Sequence, residues 1–278
     1  MCRVGRGLTG SMRYTPVVTA QAGAPRQAPA LCPELDHPED RVPMRKNTQR
    51  KTRPGTPPRC EHCSTRGRCL FAVLPQPQYD EFSALIRERT VAVGETVEFQ
   101  GCNGDAFGVV KVGLLKAVRQ GAGSGDRAIA LLGKGRLIGV TLPFAQSALL
   151  SLVAITPMRI CEVDVQAVRR IALQQPLFQQ AIYRTVAAFV GSVADWSRLV
   201  REDSFLVKVC VALHLIAAEE GSQAFRIPSH VELASVLGAR RETVARQIAV
   251  LIERGMFRKV DRWHGVLTSV GCDGLSEL

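Results

Sequence analysis

The chain has 278 residues, 46% of them hydrophobic, with a formal charge of +11 and a pI near 9.6. That length and apolar content can bury a sizeable core and fit two folded domains. No segment reaches the roughly 18 consecutive apolar residues of a membrane-spanning helix, and the basic balance points to a polyanionic partner, nucleic acid before a membrane surface.

The basicity is concentrated at the start. Residues 1–59 hold eleven Lys/Arg against four Asp/Glu and nine of the fifteen prolines, with almost no apolar periodicity. Such a leader cannot bury enough surface to offset its chain entropy and is expected to be disordered. It lacks the uninterrupted apolar run of a signal peptide, so a soluble, cytoplasmic protein is expected. In that compartment the nine cysteines are thiols or metal ligands rather than disulfides.

Where the leader ends stands "CEHCSTRGRC", which places Cys60, Cys63 and Cys69 within ten residues. Three thiols close no set of disulfides and are one short of a four-thiolate site. Taken alone, the spacing suits zinc, with His62 as a further donor, or an iron–sulfur cluster completed from elsewhere. Cys102 in the turn "FQGCNGDA" is a candidate fourth ligand or a plain loop thiol, whereas Cys161 in "MRICEVDV", taken alone, reads as a core residue. Cys210 lies in the apolar run "FLVKVCVALHLIA" and reads as core.

From about Val91 to Val165, short apolar runs ("TVEF", "FGVVKVG", "LLKAV", "AIALLG", "LIGV", "MRICEVDV") alternate with Gly, Asn, Asp and Ser, the pattern of an antiparallel barrel or roll. At Pro176 the period changes to that of a helix. Ile182, Phe189 and Trp196 recur at seven residues, as do Val186, Val193 and Val200, an a/d stripe that predicts a self-pairing dimerisation helix over 176–202. The plainer reading is a helix packed on its own domain.

A further helix is predicted from about Asp203 to Glu220, stopped by Gly221. Ser229 and Glu232 then form a capping-box pattern opening a short helix to Leu237. Gly238 makes a turn, and another helix runs from about Arg240 to Arg254. Val244, Ile248, Leu251 and Ile252 form its buried stripe, with Glu242, Arg246, Ala249 and Glu253 facing water. "FRKV" and "GVLT" follow as a two-stranded wing. Helix, Gly turn, helix and wing at 203–278 predict a winged helix-turn-helix whose second helix enters the DNA major groove. Arginines suit guanine and a glutamate suits cytosine, each worth ~1–3 kcal/mol of discrimination.

This order of β-roll, long helix and C-terminal winged helix resembles the Crp–Fnr transcription regulators, and "RRETVARQIAVLIERG" is similar to their R-E-T-V-x-R recognition motif. The resemblance implies an α+β chain. It has the leader at 1–59, a cluster-binding segment and cupin-like, cyclic-nucleotide-domain-like β-roll at 60–175, the dimerisation helix, and the DNA-binding domain. It places Arg241, Glu242 and Arg246 on base-contacting positions. Arg240 replaces the usual Ser or Thr helix cap and is free to touch a phosphate. It implies a homodimer on a palindromic double-stranded promoter site, with RNA polymerase as a further partner. Arg241 points to a G-rich, TGTGA-like half-site, or to tolerance of both TGTGA and TTGAT.

Cyclic-nucleotide-binding relatives carry a Gly-Glu-Leu segment and a downstream arginine for the phosphate. Here the Glu position holds Arg136 and no arginine follows in "GRLIGVTLPFAQSALL", so cAMP binding is not expected. Cys60-x2-Cys63-x5-Cys69 resembles the cluster motif of the FNR-like, oxygen-responsive subgroup, whose last ligand comes from a β-roll strand. That role falls on Cys161. The implied cofactor is a [4Fe–4S] cluster sensitive to oxygen or nitric oxide, with zinc as the alternative. Arg68 would stand as a cation beside it, both stabilising its reduced state and admitting water. None of the five histidines falls in a β-roll strand to ligate a haem, and no acid/base pair, nucleophile constellation or phosphate loop supports an enzyme.

Overall fold

The computed structural model describes residues 60–121 and 126–268; the leader, with Cys2 and Cys32, lies outside them. The cysteine segment runs through three one-turn helices, Cys60–His62, Arg66–Arg68 and Leu70–Val73, into α1 (Gln76–Ser83). Eight strands follow: β1 (Arg87–Val91), β2 (Thr96–Glu98), β3 (Ala106–Val112), β4 (Leu115–Arg119), β5 (Arg127–Leu132), β6 (Leu137–Ile138), β7 (Ser151–Ala154) and β8 (Met158–Asp164). They form two antiparallel four-stranded sheets, ordered β1-β8-β3-β6 and β2-β7-β4-β5. This is the expected roll. The run "ALLSLVAITP" contributes β7, whose residues are buried or half-buried between neighbours on both sides.

On β8 and β3 the two faces serve different cores. Met158 and Ile160 of β8 and Val110 of β3 point into the main core between the sheets. Cys161 and Val163, with Phe107 and Val109, point outward, where strand alternation alone would put polar residues. The outward face is apolar because a second core covers it, built from Leu70, Phe71, Tyr79, Phe82, Phe178 and Ile182. Phe71 lies 5.3 Å from Phe82, and Phe82 lies 6.0 Å from Phe178 in an edge-on contact.

The chain leaves β8 through α2 (Val165–Gln174), capped by Asp164, whose Oδ1 accepts from the Gln166 and Ala167 N–H groups at 2.8 and 3.2 Å. α3 (Pro176–Val200) starts on a proline that needs no N–H partner in the first turn. The expected dimer stripe requires correction. Ile182 and Trp196 are 1% exposed, buried in the chain's own cores. Val186, Phe189 and Val193 also pack there in part, and only Val200 is open. A heptad stripe marks a buried face without naming what buries it. In this helix β5, α2, the segment Leu70–Val73 and the helix that follows cover that face. Besides Val200 and Leu177 near the helix ends, the apolar groups left outside include Tyr183 and Val190, seven residues apart, with Ala187 and Ala194 exposed between and beyond them.

α4 (Phe205–Glu220) ends at Gly221, which takes the left-handed conformation (φ 64°) that a side chain would strain. Then come β9 (Ala224–Arg226), α5 (His230–Leu237), α6 (Arg241–Glu253), β10 (Phe257–Lys259) and β11 (His264–Leu267). The wing has three strands, ordered β10-β11-β9, rather than the expected two, because Ala224–Arg226 pairs with β11.

Candidate cysteine centre and nucleic-acid interface

Cys60, Cys63, Cys69 and Cys161 line one cavity, together with Thr65, Arg66, Tyr79 and Lys111. The cysteine segment is tied down by backbone turns, Cys63 N–H to the Cys60 carbonyl at 3.2 Å and Cys69 N–H to the Arg66 carbonyl at 3.1 Å. The buried Thr65 hydroxyl donates to the Lys111 carbonyl of β3 at 2.7 Å. Cys161 stands opposite Val109 in the central pair of the sheet, so its side chain is directed at the same spot from below. Strand register and three short turns thus bring together thiols about ninety residues apart in sequence.

The environment disfavours bare thiolates. Burial pushes the Cys161 thiol up to about 12, with Lys111 pulling the other way and Cys69 and Cys60 adding to the rise. Burial likewise raises Cys69. Deprotonating Cys161 and Cys69 requires compensating positive charge, which Lys111 and Arg66 supply only in part. The Lys111 ammonium is paired with Glu88 at 2.6 Å, and the Arg66 guanidinium lies 5.7 Å from the Tyr79 ring centre. Bound metal cations would supply the rest.

Tyr79 is buried, and its hydroxyl has no hydrogen-bond partner among the described residues. Burial, and then the neighbouring Cys60 thiol, raises its pKa. A buried hydroxyl beside the Cys60 thiol, on the wall of a four-cysteine cavity, suits a site whose acceptors are sulfur. No three of the described His, Cys, Asp or Glu side chains converge closely enough to clasp a single ion. The four thiols instead line the cavity without meeting at one point. A lone zinc would draw four sulfurs to ~2.3 Å from one point, whereas a polynuclear cluster spreads its ligands around a larger body. Four cysteine donors suit either kind of site. His62 is exposed and does not line the cavity, nor does Cys102. Arg68 does not line it either, so the expected cation beside the cluster is not this residue.

The Thr65 contact gives a first expectation. Thr65→Val removes the donor and leaves the Lys111 carbonyl short of a partner, destabilising the chain by about 1–3 kcal/mol. A thermal melt of the variant should show the lower midpoint.

The nucleic-acid face is separate. Arg241, Glu242 and Arg246 on α6 and Arg240 at its N-cap are all exposed, and among the described residues none of them enters an ion pair. Arg240 makes no side-chain cap. Val244, Ile248 and Leu251 form the buried side of α6, while Ile252 is 40% exposed and leaves the expected stripe. The Ser229 hydroxyl accepts from the Glu232 N–H at 3.2 Å. The other half of the expected capping box is absent, since the Glu232 carboxylate pairs with Lys116 of β4 at 2.5 Å. At the wing tip, Trp263 has the Arg226 and Arg262 guanidinium groups over its ring, at 5.2 and 4.8 Å.

A second cavity of about 530 Å³ lies between the roll and α3, lined by Glu98, Arg136, Thr141, Thr185, Val186 and Phe189 among others. Its single arginine, Arg136, is ion-paired to the buried Glu219 of α4, and burial raises the pKa of the Glu98 carboxyl facing the space.

Residues 207–278 match the Crp-like helix-turn-helix domain. Over 210 residues the chain is 25% identical to a probable transcriptional activator of Rhizobium leguminosarum bv. viciae, covering 73% of this chain and 87% of that one. It is 26% identical over 194 residues to the cyclic AMP receptor protein of Thermus thermophilus, covering 69% and 89%. Among solved structures, FixK2 from Bradyrhizobium japonicum superimposes with a TM-score of 0.59 at 17% identity, covering 69% of this chain and 96% of that one; that likeness shows the fold. Among the described residues no helix is long and apolar enough to cross a membrane.

Proposed function

We propose that this chain, whose residues 207–278 match a Crp-like helix-turn-helix domain, regulates transcription by binding DNA as a homodimer. We propose further that a [4Fe–4S] cluster on Cys60, Cys63, Cys69 and Cys161 governs that binding. The observation that carries the second part is the single cavity lined by all four cysteines. When bound, the cluster would supply a site that oxygen or nitric oxide can convert or destroy.

The remaining steps belong to the protein. While its thiols are held, the segment Cys60–Cys69 stays fastened to β8. Leu70 and Phe71, directly after Cys69, pack with Phe178 and Ile182 at the start of α3. Release of the thiols frees that wedge and alters how α3 is seated. The exposed face of Tyr183, Ala187, Val190 and Ala194 is a heptad-spaced surface with small residues that allow close approach of a second α3. Pairing there sets two α6 helices one DNA turn apart, ~34 Å, on a palindromic site. Arg241, Glu242 and Arg246 then face base edges and Arg240 a phosphate. This reading implies a cytoplasmic regulator with RNA polymerase as a partner.

The second cavity speaks against a cyclic nucleotide. A buried phosphodiester there would meet the Glu98 carboxyl and an arginine already bound to Glu219. The experiment is a fluorescence-anisotropy titration of a palindromic duplex with anaerobically prepared protein, repeated after air. Binding should weaken about five- to 150-fold, the range of a 1–3 kcal/mol coupling, with a parallel loss of dimer by sedimentation. Air-indifferent binding contradicts the cluster part and leaves the DNA-binding part standing.

A further inference from the structure

Arg68 sits between Cys63 and Cys69, yet its side chain leaves the cysteine cavity and crosses to the DNA-binding domain. Its Nη1 donates to the carbonyls of Ala218 and Glu219, at 2.7 and 3.1 Å, in the last turn of α4. Those carbonyls lie where a helix runs out of its own N–H donors, and the helix dipole there favours a cation. The seat is shaped for the residue. A Cβ on Gly221, the left-handed cap of α4, would come within 2.9 Å of the Arg68 guanidinium carbon. One on Gly135, in the turn between β5 and β6, would come within 2.6 Å of the Arg68 carbonyl oxygen.

Two other pieces grip the same helix end. From the β5–β6 turn, the Lys134 N–H donates to the Glu219 carbonyl at 3.2 Å, the Gly133 N–H to the Glu219 carboxylate at 2.8 Å, and Arg136 pairs with that carboxylate. From α3, the Ser192 hydroxyl donates to it at 3.2 Å. These contacts come from the roll and from α3; Arg68 alone belongs to the segment that carries three of the four cysteines. Since α4 packs against α6, a shift of the α4 end is passed to the recognition helix.

We infer that Arg68 is a positioning residue that reports the state of the cysteine segment directly to the DNA-binding domain, by capping α4. This route is distinct from the one through Phe71 and α3. It rests on the reading that Cys60, Cys63, Cys69 and Cys161 hold a cluster. With the thiols held, Arg68 is fixed on α4 and the domain is seated for DNA; with them released, the cap loosens.

The test uses full-length, anaerobically prepared protein as the unmodified chain, Arg68→Ala and Arg68→Lys. Four quantities are measured: visible absorbance with iron content, dimer mass, duplex affinity before and after air, and amide hydrogen exchange over residues 217–221. Arg68→Ala should keep its cluster and dimer but bind DNA about fivefold or more weakly. Its affinity should change less on air exposure, and exchange at 217–221 should rise to the level air produces in the unmodified chain. Arg68→Lys, keeping charge without the planar fork, should recover part of both. Unchanged or tighter DNA binding with unchanged exchange overturns the inference, as does a loss of affinity matched by a loss of cluster. Failure of the cluster reading shows separately, as an unmodified protein without iron; exchange at 217–221 in Arg68→Ala then still decides whether the cap exists, and no change on air refutes its reporting role.

Discussion

Cys161→Ser should abolish the visible iron–sulfur absorbance of anaerobically isolated protein, and DNA affinity should fall to that of the air-treated unmodified chain. The substitution is close to isosteric, and the position is 7% exposed in a well-packed second core, so the fold should survive. What is lost is the ligand that makes the site bipartite. Cys60, Cys63 and Cys69 lie in one short segment, and a site closed within it would order only that segment. Cys161 sits on β8, in the middle of its sheet between β1 and β3, and ties the segment to a rigid strand. The expected weakening of DNA binding is again about five- to 150-fold. Cys102→Ser, outside the cavity, should keep the absorbance. A Cys161→Ser protein that retains its full iron complement would remove Cys161 from the site.

Arg246→Ala carries the second large effect. Arg246 is exposed on α6 with Arg241 and Glu242, while Val244, Ile248 and Leu251 fix the opposite side of the helix in the core. Removing one guanidinium aimed at a base edge should cost about 1–3 kcal/mol per half-site and relax the preference at a single base pair. Arg240→Ala should act differently. At the helix N-cap, with no capping bond of its own, Arg240 is placed for a phosphate. Its loss should weaken all sequences alike and lower the salt slope by about 1. A duplex panel with one base pair varied at a time, titrated at several salt concentrations, distinguishes the two. Arg246→Ala with wild-type selectivity would take α6 out of base readout.

The parts of this molecule legible in the sequence are those with local rules. The β-roll strands announced themselves by alternation and turn residues. The helices of the DNA-binding domain did so by Ser229, Gly238, Gly255 and a regular stripe. α2 was missed because its Asp164 cap is itself the last residue of β8 and reads as part of "EVDV". The short α1 was missed as well. The dimer stripe shows the limit of periodicity: Ile182 and Trp196 do lie on one buried face, but their own chain buries it. The open face begins one residue later, at Tyr183. Cys161 was found through resemblance, since nothing in "MRICEVDV" says that the outward face of β8 is covered at that point. Glu232 and Arg68 were misread for a common reason. Each has a plausible partner nearby in sequence, and each goes instead to another domain, to Lys116 and to the end of α4.

The central claim, that four cysteines from two parts of the chain hold one cluster, is tested most directly by iron and acid-labile sulfide analysis of the anaerobically isolated full-length protein. About four irons and four sulfides per chain are expected, falling with the visible absorbance on exposure to air. A colourless protein carrying one zinc, or no metal, would contradict it.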